Sequence, residues 1–133
     1  MADRKNEKQG GAKGLILFAH GSRDPRWKEP FEKLERMLSG QLKEVAVRVA
    51  YLQDCPPDIF SAAEEMARNG AAKVTVIPMF LAVGSHSAND FPKIAGRVAA
   101  SLPQVEFTWT DVIGQWEETL SALAMLIGGR ING

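Results

Sequence analysis

Apolar residues along this chain arrive in two rhythms. Four short runs are nearly continuous: Leu15–Ala19 (LILFA), Val45–Tyr51 (VAVRVAY), Val74–Pro78 (VTVIP) and Val105–Trp109 (VEFTW). Each is rich in β-branched or aromatic residues, and the first has no polar position. Strands of a parallel sheet covered by helices on both faces read this way. Between the runs, apolar positions recur at helical spacing. Phe31, Leu34, Met37 and Leu38 make one stripe. Ile59, Ala62, Ala63, Met66 and Ala67 make a second, closed at Asn69-Gly70, where glycine suits a left-handed cap. Phe91, Ile94, Ala95 and Val98 make a third, closed by Pro103. Trp116, Leu120, Leu123, Ala124 and Ile127 make a fourth, ended by Gly128-Gly129. Pro25 follows a possible Asp24 cap, but Pro30 sits awkwardly inside a helix that early, so the regular helix is expected from about Glu29.

Strand and helix alternate throughout, which predicts parallel strands joined by right-handed crossovers. The expected fold is a three-layer α/β sandwich with a four-stranded parallel sheet, half of a flavodoxin-like arrangement. Residues 14–130 are read as one domain. Residues 1–13, polar and rich in Gly and Lys, are read as a disordered tail. A length of 133 residues suits one domain with one core. Sixteen basic and sixteen acidic residues cancel, so no global field favours nucleic acid or an anionic membrane. No apolar run approaches the ~20 residues of a membrane span, and the start of the chain lacks the apolar stretch of a secretory signal. The single cysteine, Cys55, excludes an internal disulfide, and the reducing cytoplasm is the expected location.

In an open parallel sheet, ligands bind beyond the carboxyl ends of the strands, where neighbouring connections diverge. The chain has two histidines. His20 directly follows the first strand, and His86 is expected in the loop after the third. If those strands are neighbours, both imidazoles meet one crevice. One such histidine is more often a helix cap or a partner for a backbone carbonyl; two at matching positions favour a site. The segment Met79–Val83 (MFLAV) is unusual too, because loops are normally polar. Either the strand runs past Pro78 as an edge, or these residues form an apolar surface for a flat ligand or another subunit. The second reading is preferred.

These residues also carry a family resemblance. His20-Gly21-Ser22-Arg23 resembles the opening signature of the small class II tetrapyrrole chelatases, the sirohydrochlorin cobalto-, ferro- and nickelochelatases of the CbiX and SirB type. Pro78-Met79-Phe80-Leu81, Gly84-Ser85-His86 and Asp90-Phe91-Pro92 together are similar to the second signature. The similarity runs from about Gly14 to Gly129, and the length matches the short form, which pairs as a homodimer. The resemblance implies entry of Co²⁺, Ni²⁺ or Fe²⁺ into sirohydrochlorin without nucleotide hydrolysis, as a step of cobalamin or sirohaem formation. The metal is substrate, and no permanently bound cofactor is implied. Consistently, no Gly-rich nucleotide loop is present. Members often hold the metal with a glutamate after the second strand; this chain has Gln53 there, which keeps a carbonyl oxygen and lacks the charge.

Insertion must strip a hydrated cation and remove two pyrrole protons. Neutral imidazole ligates such ions and can take up protons near neutrality. His20 and His86 are therefore assigned as metal ligands and proton acceptors, with Gln53 a weak third ligand. So few ligands would let the ion leave, whereas a closed four-ligand site would trap it. Arg23, Ser22, Ser85, Phe80, Leu81 and Gly84 are assigned to the tetrapyrrole, with Arg26, Lys28 and Lys93 as further cations for its carboxylates and Ser87 as a further donor. The start of a helix near Asn89 would add backbone donors. Asp90 either orients His86 or, by preference, caps that helix. Tyr51 and Trp27 could stack on the macrocycle, although aromatics so placed more often pack in the core. A serine hydrolase lacks its Gly-x-Ser-x-Gly elbow here. The main alternative is a homodimer that binds metal or tetrapyrrole without completing insertion.

Overall fold

A computed structural model of the chain describes residues 12–133, apart from the side chain of His86. Most of the expected tail, residues 1–11, lies outside the described residues. The strands are β1 (Lys13–Ala19), β2 (Val45–Tyr51), β3 (Lys73–Pro78) and β4 (Glu106–Trp109). The helices are α1 (Pro25–Gln41), α2 (Ile59–Arg68), α3 (Ser85–Ser101) and α4 (Glu117–Asn132), with a 3-10 turn at Ile113–Gln115 before α4. All strands are parallel, in the order β2-β1-β3-β4, the expected architecture. β1 therefore lies between β2 and β3, which makes the first and third strands neighbours.

Strand alternation sends side chains into two apolar layers. On one face Ile16, Phe18, Val74 and Val76 pack with Ala62, Ala63 and Met66 of α2 and Val98 of α3. On the other, Leu17, Ala19, Val49 and Tyr51 pack under Trp27, Phe31, Leu34 and Leu38 of α1. Phe18 is fully buried, with Phe91 and Trp109 edge-on to its ring at 5.7 and 5.6 Å.

Three helix boundaries differ from the periodicity. α1 starts at Pro25, four residues before the expected Glu29, because the Asp24 carboxylate accepts the Arg26 amide at 2.9 Å and caps it. Pro30 stays inside the helix and removes one bond near its start, on an exposed surface. α3 starts at Ser85 behind a Gly84 cap and runs through Pro92, not from Asn89. The α2 stop is as expected, with Gly70 at a φ of 99°. α4 continues through Gly128-Gly129 to Asn132.

The fourth apolar stripe is also not buried: Leu120 and Ile127 are exposed, as are Met125, Leu126 and Ile131. The principal contact of α4 is with the 3-10 turn before it. α1 covers β2 and β1, so on that face β3 and β4 have no helix in substantial contact among the described residues. No helix there is long and apolar enough to cross a membrane.

Replacing Phe18 with Ala should cost about 3–5 kcal/mol, since it removes a buried ring and both edge contacts. Urea unfolding followed by circular dichroism measures it; a loss below about 1 kcal/mol would mean that this ring does not anchor the layer it faces.

Candidate functional site

The candidate site begins where β1 ends. The pairing of β1 with β2 continues past both strands: the Leu52 amide donates to the Ala19 carbonyl at 2.8 Å, and the Gln53 amide to the His20 carbonyl at 3.1 Å. This ladder sets exposed Gln53 beside exposed His20, so the structure brings these two expected ligand positions together. The His20 ring is held by its own neighbour, Nδ1 lying 3.1 Å from the Gly21 carbonyl. A carbonyl can only accept, so Nδ1 carries the proton in the neutral ring and Nε2 presents a lone pair.

The second half lies at the end of β3. Pro78 closes that strand, and the Met79 amide donates to the Phe18 carbonyl at 2.7 Å. β3 is an interior strand, so Met79–Val83 is not an edge continuation. Met79 packs into the α1 layer, and the Phe80 ring lies 5.3 Å from Phe91. Only Leu81 is left as a large exposed side chain, at 68%. His86 was expected in a loop; its backbone instead lies in the first turn of α3, with Ser85 at the opening position. Its side chain lies outside the described residues. Because β3 adjoins β1, the start of α3 and His20 occupy the same carboxyl-end rim of the sheet. Gly84 offers no side-chain cap, so amides of that first turn are open to an anion or solvent. Asp90 sits inside α3 and does not cap it, one turn on from His86.

The expected cations separate on inspection. The Arg23 side chain is 91% exposed, and its Nε is 3.9 Å from Asp54 Oδ1. A surface pair that long restrains it little. Arg26 is engaged by Asp24, with Nη2 to Oδ2 at 2.7 Å and Nε to Oδ1 at 3.1 Å, and this guanidinium holds the Asp24 carboxyl below its ordinary range. Arg26 is thus a poor candidate for substrate. Lys93 is exposed on α3 and Lys28 half-buried on α1. Ser22 accepts the Asp24 amide at 3.1 Å and keeps its own proton to donate. Tyr51 and Trp27 belong to the core. Tyr51 is buried, Trp27 lies 6.1 Å from it, and burial pushes the Tyr51 hydroxyl up to about 12, so it stays protonated.

A cleft of about 250 Å³ opens beside this rim, lined by Pro78, Val83, Ser87, Phe91, Trp109 and Gln115 among others. Ser87 and, from the apolar segment, Val83 belong to this lining, whereas His20, Ser22, Arg23 and Gln53 do not. Two residues escaped the sequence reading. Asp54, a carboxylate directly after Gln53 with a φ of 72°, was visible as the next acidic residue along. Gly114 had no local signal. Its amide donates to the Phe80 carbonyl at 2.9 Å, and a Cβ there would stand 2.0 Å from the Leu81 oxygen.

The description CbiX fits residues 14–127 of the chain. A sirohydrochlorin cobaltochelatase from Saccharolobus solfataricus is 28% identical over 125 residues, covering 90% of this chain and 96% of that protein. One from Methanopyrus kandleri is 33% identical over 82 residues, covering 62% of this chain and 57% of its own length. The chain thus spans nearly all of one relative and little more than half of the other. Among solved structures, a CbiX protein from Marinobacter aquaeolei VT8 superposes with a TM-score of 0.80 at 28% identity, over 90% of this chain and 98% of that one. The sirohydrochlorin chelatase SirB from Bacillus subtilis subspecies spizizenii, in complex with cobalt, gives 0.74 at 20% identity over 88% of this chain and 50% of that one, a likeness of fold.

The rim depends on Gly21. Its φ is 99°, and a Cβ there would stand 1.8 Å from the Gln53 oxygen. Gly21→Ala should therefore cost more than about 1 kcal/mol. Gly40→Ala, in α1 with open space around it, should be neutral or stabilising by up to about 1 kcal/mol. Thermal unfolding of the two variants checks the contrast; equal melting temperatures would remove the constraint.

Proposed function

This chain belongs to the CbiX family, and on that premise we propose that it inserts a divalent metal into sirohydrochlorin without nucleotide hydrolysis, with Co²⁺ favoured over Ni²⁺ or Fe²⁺. The proposal includes a pair of identical chains as the working unit and the cytoplasm as its location. Support for the reaction comes from the cobaltochelatase of Saccharolobus solfataricus, which the chain matches over 96% of that protein's length. The observation that carries it is the adjacency of β1 and β3, which puts His20 and the first turn of α3 on one rim.

The chemistry balances simply. A hydrated M²⁺ enters, two pyrrole N–H bonds break, their electron pairs become metal bonds, and two protons leave. In this reading His20 Nε2 first takes a coordination position of the ion and afterwards accepts a proton, while His86 does the same from the start of α3. Gln53 offers its side-chain carbonyl oxygen beside His20, a weak neutral ligand that suits an ion held only until transfer. Arg23 pairs with a carboxylate of the macrocycle, helped by Ser22, Ser85 and the open amides of the α3 first turn. Leu81, with Phe80 behind it and Gly84 beside it, supplies the apolar contact for the flat ring.

An absorbance assay with sirohydrochlorin and Co²⁺, Ni²⁺ or Fe²⁺ in parallel should show a rate above background with at least one ion. His20→Ala and His86→Ala should each lower that rate roughly 10²-fold or more, the usual worth of a positioned proton acceptor. Wild-type turnover by both variants would sink the site assignment. Stoichiometric binding with no spectral change would favour the non-catalytic binder instead.

A further inference from the structure

A divalent ion approaching the rim meets a problem of charge. The groups assigned to hold it, His20, His86 and Gln53, are neutral in the form that binds, and affinity for such ions rises with the number of charged ligands. Arg23, three residues after His20, adds a positive charge that opposes the ion. A negative group is wanted on this half of the rim. The carboxylates of the two loops that form it are Asp24, Asp54 and Asp58. Asp24 is taken twice over, by the Arg26 amide and by the Arg26 guanidinium. Asp58 caps α2, accepting the Ser61 amide at 2.7 Å. Asp54 caps no helix.

Its placement is specific. The Gln53 amide closes the ladder to the His20 carbonyl. Had the extended strand gone one residue further, side chain 54 would point to the opposite face from side chain 53. The φ of 72° at Asp54 breaks that alternation. The carboxylate comes to lie against the segment after His20, with Oδ1 3.9 Å from Arg23 Nε. Charge-assisted pairs close to about 2.7–2.9 Å, as Arg26 and Asp24 do at 2.7 Å. The Arg23 pair stays open. Among the described residues no hydrogen bond to the Asp54 carboxylate accompanies it, although that side chain is only 35% exposed. A carboxylate half withdrawn from water thus faces a cation that is itself 91% exposed, a partner easily exchanged.

We propose that Asp54 supplies the counter-charge for metal capture at this rim, and that Arg23 covers it until a carboxylate of the macrocycle draws the guanidinium away. The inference rests on the reaction proposed above and deepens it, because it makes the arrival of the two substrates interdependent. While Arg23 faces Asp54, the rim beside His20 is neutralised and holds a divalent ion weakly. Once the guanidinium turns to the macrocycle, the Asp54 charge stands open beside Gln53, and the ion restores the balance. No covalent bond changes; one cation takes the place of another. The coupling runs both ways, since an ion that takes Asp54 frees Arg23 for the macrocycle. Asp54 thereby carries, one position along the chain, the charge that Gln53 lacks.

The test measures Co²⁺ binding to the full chain by calorimetry, without tetrapyrrole. Asparagine tolerates a left-handed backbone as aspartate does, so Asp54→Asn removes the charge and keeps the turn. It should weaken Co²⁺ binding roughly 5- to 10-fold at low ionic strength, with the melting temperature unchanged, and the difference should narrow at physiological salt. Arg23→Gln should tighten binding roughly 5-fold, and in the Asp54→Asn background by less than about twofold. Wild-type affinity in Asp54→Asn, a loss that ignores salt, an Arg23→Gln gain that survives in full without Asp54, or no Co²⁺ bound by the wild type would each overturn the exchange. Turnover of sirohydrochlorin is read separately. The expected set of affinities without turnover would remove the proposed reaction alone, and turnover with unchanged affinity in Asp54→Asn would remove the exchange alone.

Discussion

The burial of β1 between β2 and β3 is the constraint on which the rest depends. Ile16, Leu17, Phe18 and Ala19 are buried in sequence, alternately in the two apolar layers, so the strand cannot slip by one residue without exchanging them. Its backbone is equally committed, with β2 on one side and β3 on the other. Whatever follows Ala19 is therefore placed with the precision of the sheet. His20, its carbonyl partner Gln53 and the Phe18–Met79 bond that starts the apolar loop are all extensions of this one strand's pairing.

Much of that was legible in the amino-acid order. β1 was readable because a strand covered on both faces needs an unbroken apolar run, and β3 and β4 because apolar residues recur at alternate positions on their covered face. The helix starts were harder. Pro30 and Pro92 each look like a boundary, yet both sit on exposed helix surface, where one missing bond is tolerated. The third apolar stripe begins only at Phe91, so the helix was expected from near Asn89, which left His86 in a loop. The true cap, Gly84, gives no side-chain signal.

Other features were illegible for a physical reason. An apolar stripe specifies a surface that wants covering and says nothing about which molecule covers it, so the fourth stripe looked like any other core-facing helix. Close backbone approaches are hidden for a related reason. Gly114 against Leu81 joins segments far apart in the chain, and nothing local marks either one. The site was half legible. His20 and Gln53 were expected as ligand types, and the backbone ladder between them emerged only with the register. Arg26 was expected as a further cation behind Arg23, and its carboxylate partner two residues earlier occupies it.

The contact of Gly114 with the apolar loop has a mechanical corollary. The 3-10 turn that carries Gly114 leads into α4 within a few residues, and Leu81, on the other side of the contact, precedes the first turn of α3 by a similar distance. Neither segment contains a long flexible spacer. The head of the last helix and the floor of the rim are therefore tied through a few residues of backbone, so a shift of either one displaces the other.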